Sequence, residues 1–186
     1  MKRIKSRTIL ISILGLVAFY AGVTAWMNNF HSVIPGELYR SGQFSSGDIS
    51  YYTKRYGLRS VINLRGDNSG AEWYDRELKE SNEAGVKHIN FRMSAKRKLT
   101  REESLMLIET MRNAPKPVLI HCNGGANRTS LAAALYLAAI TRADERTAQA
   151  QLSMRFGNFP TWLGSKSRMS ETFEELEHVL GYDDEL

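Results

Sequence analysis

One stretch narrows the possible folds more than any other. Pro117-Val118-Leu119-Ile120-His121 is apolar until its last residue, Gly124-Gly125 follow, and Leu131–Ile140 is apolar nearly all round. A run with no polar alternation has no face to offer water, and such strands lie inside parallel sheets covered on both sides. A helix apolar on every side is buried as well. Together they predict an α/β fold, a central and mostly parallel sheet flanked by helices.

The rest of the chain supplies the elements such a unit needs. Leu38-Tyr39-Arg40, Ser60-Val61-Ile62-Asn63-Leu64 and Val86–Phe91 read as strands. Ser45–Tyr56 reads as a helix with Ser45 as N-cap and Gly57 as its stop, and Ala71–Ala84 as a charged helix ended by Gly85. Thr100-Arg101-Glu102-Glu103 is a capping box opening a helix to Arg112, with Leu105, Leu107, Ile108 and Met111 available for the core. Two further helices are expected near Asp144–Phe156 and Ser170–Leu180. No linker-like or repetitive stretch interrupts the chain, so 29–186 is expected to be one domain.

A net charge of +5 and a pI near 9.4 suggest a nucleic-acid partner at first sight. The distribution removes that reading. Residues 1–28 hold Lys2, Arg3, Lys5, Arg7 and no acid, which leaves a net of +1 on the remaining 158 residues. No nucleic-acid partner is expected. Thr8–Trp26 is a run of 19 residues without a charge, and as a helix it spans roughly 28 Å, close to a bilayer core. Cations before it and none of the acids predict a single-pass transmembrane signal anchor through residues 8–26, with the domain outside the cytoplasm, periplasmic if bacterial. Val23-Thr24-Ala25 leaves a cleaved signal peptide and a secreted domain as the alternative.

The chemistry concentrates in His121-Cys122-Asn123-Gly124-Gly125-Ala126-Asn127-Arg128-Thr129-Ser130, between the buried strand and the buried helix. It holds the chain's single cysteine, which excludes an internal disulfide and a multi-cysteine zinc site. Gly124-Gly125 lets the loop curl so that successive N–H groups face inward and form an anion nest. The helix N-terminus adds unsatisfied donors and a positive dipole end. Arg128 can close a fork on two oxygens of a tetrahedral oxyanion. Cys122 sits at the floor of that cradle, in a field that favours the thiolate. A phosphate cup above a thiolate is a nucleophilic phosphatase site, with Cys122 attacking phosphorus and water releasing the phosphocysteine. His121 is placed to orient the loop, and the Thr129 hydroxyl to stabilise the sulfur as it leaves. The loop supplies the positive charge, so no metal and no cofactor are expected.

His121-Cys122, five residues, Arg128 and Thr129 resemble the signature of the cysteine-dependent protein tyrosine and dual-specificity phosphatases. Leu38-Tyr39-Arg40-Ser41-Gly42-Gln43 and Ser60-Val61-Ile62-Asn63-Leu64-Arg65, in order before the loop, are similar to the small bacterial dual-specificity-like members. The resemblance covers roughly 34–159. It implies a protein tyrosine phosphatase-like fold. It also implies Cys122 as nucleophile, Arg128 with the 123–128 amides (Asn123, Gly124, Gly125, Ala126, Asn127) as the phosphate site, and a phosphorylated protein as substrate. A lipid or small-molecule phosphate is the second substrate class, and a non-catalytic phosphate-binding module the third reading.

Two departures stand out. The family places an aspartate acid on a loop about thirty residues before the cysteine, and Met93-Ser94-Ala95-Lys96-Arg97-Lys98-Leu99 has no carboxylate. Asp67, after a neighbouring parallel strand, is the substitute candidate, with Glu72 next. Asn123 and Ala126 stand where inositide-directed relatives often carry lysines, which points away from highly charged inositol phosphates. Lys96, Arg97, Lys98 and Arg101 form a cationic cluster near the expected crevice, suited to steering anions or facing anionic lipid. Arg40 and Gln43 are further candidates for the pocket wall.

Overall fold

Short strands and long crossovers build the sheet: β1 (His31–Ile34), β2 (Leu38–Ser41), β3 (Ser60–Asn63), β4 (Lys87–Asn90) and β5 (Val118–His121), in the order β1-β2-β5-β3-β4. β2, β5, β3 and β4 run parallel, and β1 adds one antiparallel edge. The mostly parallel sheet read from the sequence is present, and β1 is the strand the sequence concealed. His31-Ser32-Val33-Ile34 has no clean alternation, and its register against β2 shifts between Ser32 and Ile34. This computed structural model describes residues 28–159 and 166–182, with 9, 11–15 and 22. The anchor expected over 8–26 falls mostly outside them. Among the described residues no helix is long and apolar enough to cross a membrane.

Every residue of β2, β3 and β5 is buried. The period-two alternation of β5 sends Val118 and Ile120 to one side of the sheet and Leu119 to the other. On the first side they meet Leu38, Ile62 and the helices α3 (Arg101–Asn113), α4 (Asn127–Ala139) and α6 (Arg168–Glu175). On the second, Leu119 packs with Tyr39, Val61 and the apolar face of α1 (Asp48–Tyr56), next to α2 (Glu72–Glu83). Helix α4 is buried from Thr129 to Ala138, as its composition requires. Short α5 (Glu145–Gln149), two 3-10 turns (Ala150–Leu152 and Met154–Phe156) and α7 (Glu177–Leu180) complete the α3/α6 side.

Three local expectations need correction. Ser45 does not cap α1; Gly47 holds that position, and Asp48 reaches back to accept the Ser45 N–H at 2.7 Å. The acid wins because it also accepts from Asn28 Nδ2 at 2.7 Å, a bond that ties the helix to the chain before β1. Leu105 is 43% exposed on the outer face of α3, while Leu107, Ile108 and Met111 are buried. Helix α4 begins at Asn127, four residues before the apolar run, and that early start points its N-terminus at the loop. The capping box of α3 is formed as read: the Thr100 hydroxyl accepts from Glu103 N at 3.2 Å and Glu103 accepts from Thr100 N at 2.9 Å.

Candidate active site

The parallel register brings the C-terminal ends of β3, β4 and β5 to one edge of the sheet, where open α/β sheets hold their ligands. From the end of β5 the loop 122–126 turns into α4. Its four carbonyls from Asn123 to Ala126 are engaged on the outside. Asn123 O accepts from Gln43 N at 2.9 Å, Gly124 O from Asn29 Nδ2 at 3.0 Å, Gly125 O from Arg40 Nη2 at 2.9 Å and Ala126 O from Ser130 N at 2.7 Å. A peptide plane whose carbonyl is fixed outward must present its N–H inward. The amides from Asn123 to Thr129 donate to nothing among the described residues, as at an α-helix N-terminus and nest awaiting an anion.

Gly125 makes that curl possible. Its φ is +64°, and a Cβ there sits 2.6 Å from Gly42 N and 2.7 Å from the Ser41 carbonyl carbon. The loop rests directly on the end of β2, with no room for a side chain.

Arg40 is the largest fully buried side chain, and no carboxylate pairs with it among the described residues. Its guanidinium bonds Gly125 O, Ser130 Oγ at 2.8 Å and Gln151 Oε1 at 2.9 Å, and lies 4.0 Å over the Phe156 ring. Burial lowers its pKa to about 9, and the neighbouring Cys122 opposes that shift. Arg65 is similarly lowered by burial and by Arg128, and is supported by Glu77 and by the same cysteine. It bonds Gln43 Oε1 at 2.7 Å and lies 3.5 Å over the Trp73 ring. The sulfur of Cys122, itself 3% exposed, therefore lies in the field of cations from two strand ends as well as of the helix.

Glu77 on α2 is the polar anchor the sequence did not reveal. In a charged helix it looked like one solvated acid among several, yet it is 2% exposed. One carboxylate oxygen accepts from His121 Nε2 at 2.9 Å and His88 Nε2 at 2.8 Å, and the other from Gln43 Nε2 at 2.6 Å. Burial pushes this carboxyl up, but the charge and hydrogen bond of His121 and the bonds of His88 and Gln43 outweigh it and hold it at about 2. With Nε2 donating to Glu77, the His121 ring is held directly before Cys122. Thr129 is buried, and among the described residues its hydroxyl has no hydrogen-bond partner, Cys122 included.

Arg128 reaches from the first turn of α4 across the edge of the sheet, donating to Leu64 O at 3.4 Å and Met93 O at 3.3 Å. It lines a cleft with the 92–97 loop. Asp67 is not drawn to the loop in the same way. Its carboxylate closes an Asx turn, accepting from Ser69 N at 2.9 Å and Ser69 Oγ at 2.6 Å, and those bonds lower its pKa. Glu72 forms an exposed pair with Arg76. The acidic groups nominated from the sequence are thus held ionised or turned to solvent. Among the described residues no group of histidine, cysteine and carboxylates is arranged to hold a metal.

A family model described as a DSP-PTPase phosphatase fused to NAD+ kinase matches residues 17–169. No curated protein matches the chain in sequence. Among solved structures, P. aeruginosa TpbA in complex with pTyr superposes with a TM-score of 0.60 at 20% identity, over 84% of this chain and 93% of that one. The core catalytic domain of the PP-IP phosphatase SIW14 from S. cerevisiae gives 0.62 at 24% identity over 84% and 86%. PTPMT1 in complex with PI(5)P gives 0.63 at 12% identity over 82% and 96%. These likenesses show a shared fold.

Proposed function

This chain belongs to the DSP-PTPase family, within the cysteine-dependent dual-specificity phosphatase superfamily, and on that premise we propose that it hydrolyses phosphomonoesters through a phosphocysteine. The observation that carries this is the row of unused amides from Asn123 to Thr129, curled over Cys122 by four outward-bonded carbonyls. The Cys122 thiolate attacks phosphorus in line. The amides and Arg128 hold the equatorial oxygens, where charge accumulates in the transition state. Water then cleaves the P–S bond, and the unpartnered Thr129 hydroxyl is the nearest in sequence to turn towards the departing sulfur.

Of the expected substrate classes, the geometry favours a small or lipid-borne anionic phosphate over phosphotyrosine. A tyrosyl ring needs apolar walls, and among the described residues the cleft beside Arg128 is lined by Arg92, Lys96 and Arg97 and by no aromatic side chain. The solved relatives span both classes, with pTyr bound to TpbA and PI(5)P to PTPMT1. The cations missing from the loop itself are supplied from the 92–97 segment, which reopens highly charged substrates. Residues 1–28 are proposed as the leader that anchors the 29–186 domain outside the cytoplasm, supported by the charge-free run from Thr8 to Trp26. Fusion of this leader to a reporter active only outside the cytoplasm tests it, and an inactive fusion refutes it.

The test of the central reading is turnover of p-nitrophenyl phosphate in EDTA. Wild-type chain releases nitrophenol and Cys122→Ser does not, while a radiolabelled phosphoenzyme forms only with the thiol present. Turnover that survives Cys122→Ser refutes the mechanism, and tight phosphate binding without turnover assigns a binding module instead.

A further inference from the structure

The leader and the phosphate loop meet at one short turn. The charge-free run ends at Trp26, and Met27 alone stands between it and Asn28. Two Cα steps cover less than about 8 Å, close to the depth of one headgroup layer. Asn28 and Asn29 have φ of +51° and +52°, so the chain turns back on the domain there. The turn is tied on every side. Asn28 O accepts from Gly42 N at 2.6 Å, and Asn28 Nδ2 donates to Asp48 at 2.7 Å. Asn29 Nδ2 donates to Gly124 O and to Phe156 O, each at 3.0 Å, and His31 Nε2 lies 2.9 Å from Asn29 Oδ1. Such a joint has no slack, so a leader that enters a bilayer brings this face of the domain down with it.

Two surfaces flank the turn. On one side is the start of α1, where Ser46 Oγ and Gly47 N donate to Glu80 and Asp48 stands beside them. That surface is polar and acidic and suits water. On the other side is the segment around Phe156. The Phe156 ring is buried, 4.0 Å from the Arg40 guanidinium and 5.0 Å from the His31 ring. Its neighbours face out. Met154 and Phe159, at 60% and 62%, are the most exposed large apolar side chains of the described domain, and Arg155 between them is exposed as well. A Cβ on Gly157 would meet that of Ala126 at 3.3 Å, so this segment borders the phosphate loop itself.

We propose that Met154, Arg155 and Phe159 seat the domain on the surface of the bilayer its leader enters, with the phosphate loop beside the contact. This rests on the leader reading above. Ile9, Ile11, Ile13 and Leu14 are helical and exposed, apolar side chains that the domain leaves uncovered, as a lipid-embedded segment requires. Apolar side chains gain by entering the boundary between headgroups and acyl chains, and a cation among them is drawn to anionic headgroups. Two such side chains are too few to hold a free protein on a membrane. On a tethered one they need only orient it, because the leader already supplies the proximity.

The experiment uses the full chain in nanodiscs containing phosphatidylglycerol. In a Cys122→Ser background, which leaves no other thiol, single cysteines are introduced as Met154→Cys, Phe159→Cys, Leu105→Cys and Leu14→Cys and labelled with a small fluorophore. Lipids spin-labelled along the acyl chain quench whatever reaches them. The labels at 154 and 159 are expected to be quenched about 3-fold or more beyond the one at 105, an exposed apolar position on the outer face of α3. Arg155→Glu, which sets an acid against anionic headgroups, should remove most of that excess. If the label at 14 is quenched while those at 154 and 159 match 105, the leader is inserted and the seat is overturned. If the label at 14 is not quenched, the leader reading has failed and the seat falls with it.

Discussion

Glu77→Gln is the sharpest perturbation of the scaffold under the catalytic loop. The carboxyl of Glu77 lies at about 2, against an ordinary 4.5, because His121, His88 and Gln43 donate to it inside the protein. A shift of that size corresponds to about 3 kcal/mol favouring the folded state when the group is ionised. The folded pKa is depressed, so the contribution is fully present above 4.5 and is lost as pH falls towards 2. Glutamine keeps the shape but offers one acceptor oxygen, and its NH2 meets a donor already aimed at it, either Gln43 Nε2 or the two imidazoles. At pH 7 the variant is expected to be less stable by about 3 kcal/mol, which for a chain of this size lowers Tm by roughly 6–12 °C. The check is urea unfolding of both proteins at pH 7 and pH 3. The gap should narrow at pH 3, where wild type has itself lost part of the contribution. Because His121 precedes Cys122, turnover on nitrophenyl phosphate should fall with stability, at temperatures where the variant is still folded. A difference under ~0.5 kcal/mol at pH 7, or one equally large at pH 3, refutes the assignment of Glu77 as an ionised buried anchor.

Two more predictions separate geometry from composition in the same loop. Gly125→Ala should cost about 1–3 kcal/mol or more and remove most turnover, since its Cβ meets backbone of Ser41 and Gly42 at 2.6–2.8 Å at a φ of +64°; thermal unfolding and a nitrophenyl assay read it. Gly124→Ala, whose Cβ meets nothing within 4 Å, should change Tm little, and equal losses at both positions refute the close-approach argument. Asp67→Asn should leave turnover on both nitrophenyl and alkyl phosphates within about 3-fold, whereas a loss of two orders on the alkyl ester alone would restore Asp67 as the general acid.

What was legible from the residues follows a physical line. The loop could be read because its chemistry is local: an apolar strand, two glycines, a cysteine and an arginine at fixed spacing all lie in one stretch of chain. The capping box of α3 was legible for the same reason. What stayed hidden is which residues from elsewhere in the chain pair with the loop; Arg40 and Gln43 read as candidates for the pocket wall, not as supports of its carbonyls. Glu77 reads as an ordinary helix acid until α2 packs on the sheet and carries it to His121, 44 positions away. Asn29 reaches Gly124 across 95 positions, and Arg40 reaches Gly125 across 85. No local pattern encodes such pairings, because only the strand order β2-β5-β3 brings them together.

Those distant donors decide what the signature can do. The same glycines with unpinned carbonyls would be a flexible turn whose amides point in many directions, and ordering them around an anion would cost conformational entropy at every binding event. Asn29, Arg40 and Gln43 hold three of the loop's carbonyls in the folded chain before any ligand arrives. The amides are then arranged for the charge that develops at phosphorus rather than rearranged by it, which is where electrostatic catalysis gains most. Arg40 shows the trade involved: a fully buried guanidinium with neutral acceptors is an expensive way to hold one loop carbonyl. The arrangement becomes intelligible once the same cation also stands in the field of the Cys122 sulfur.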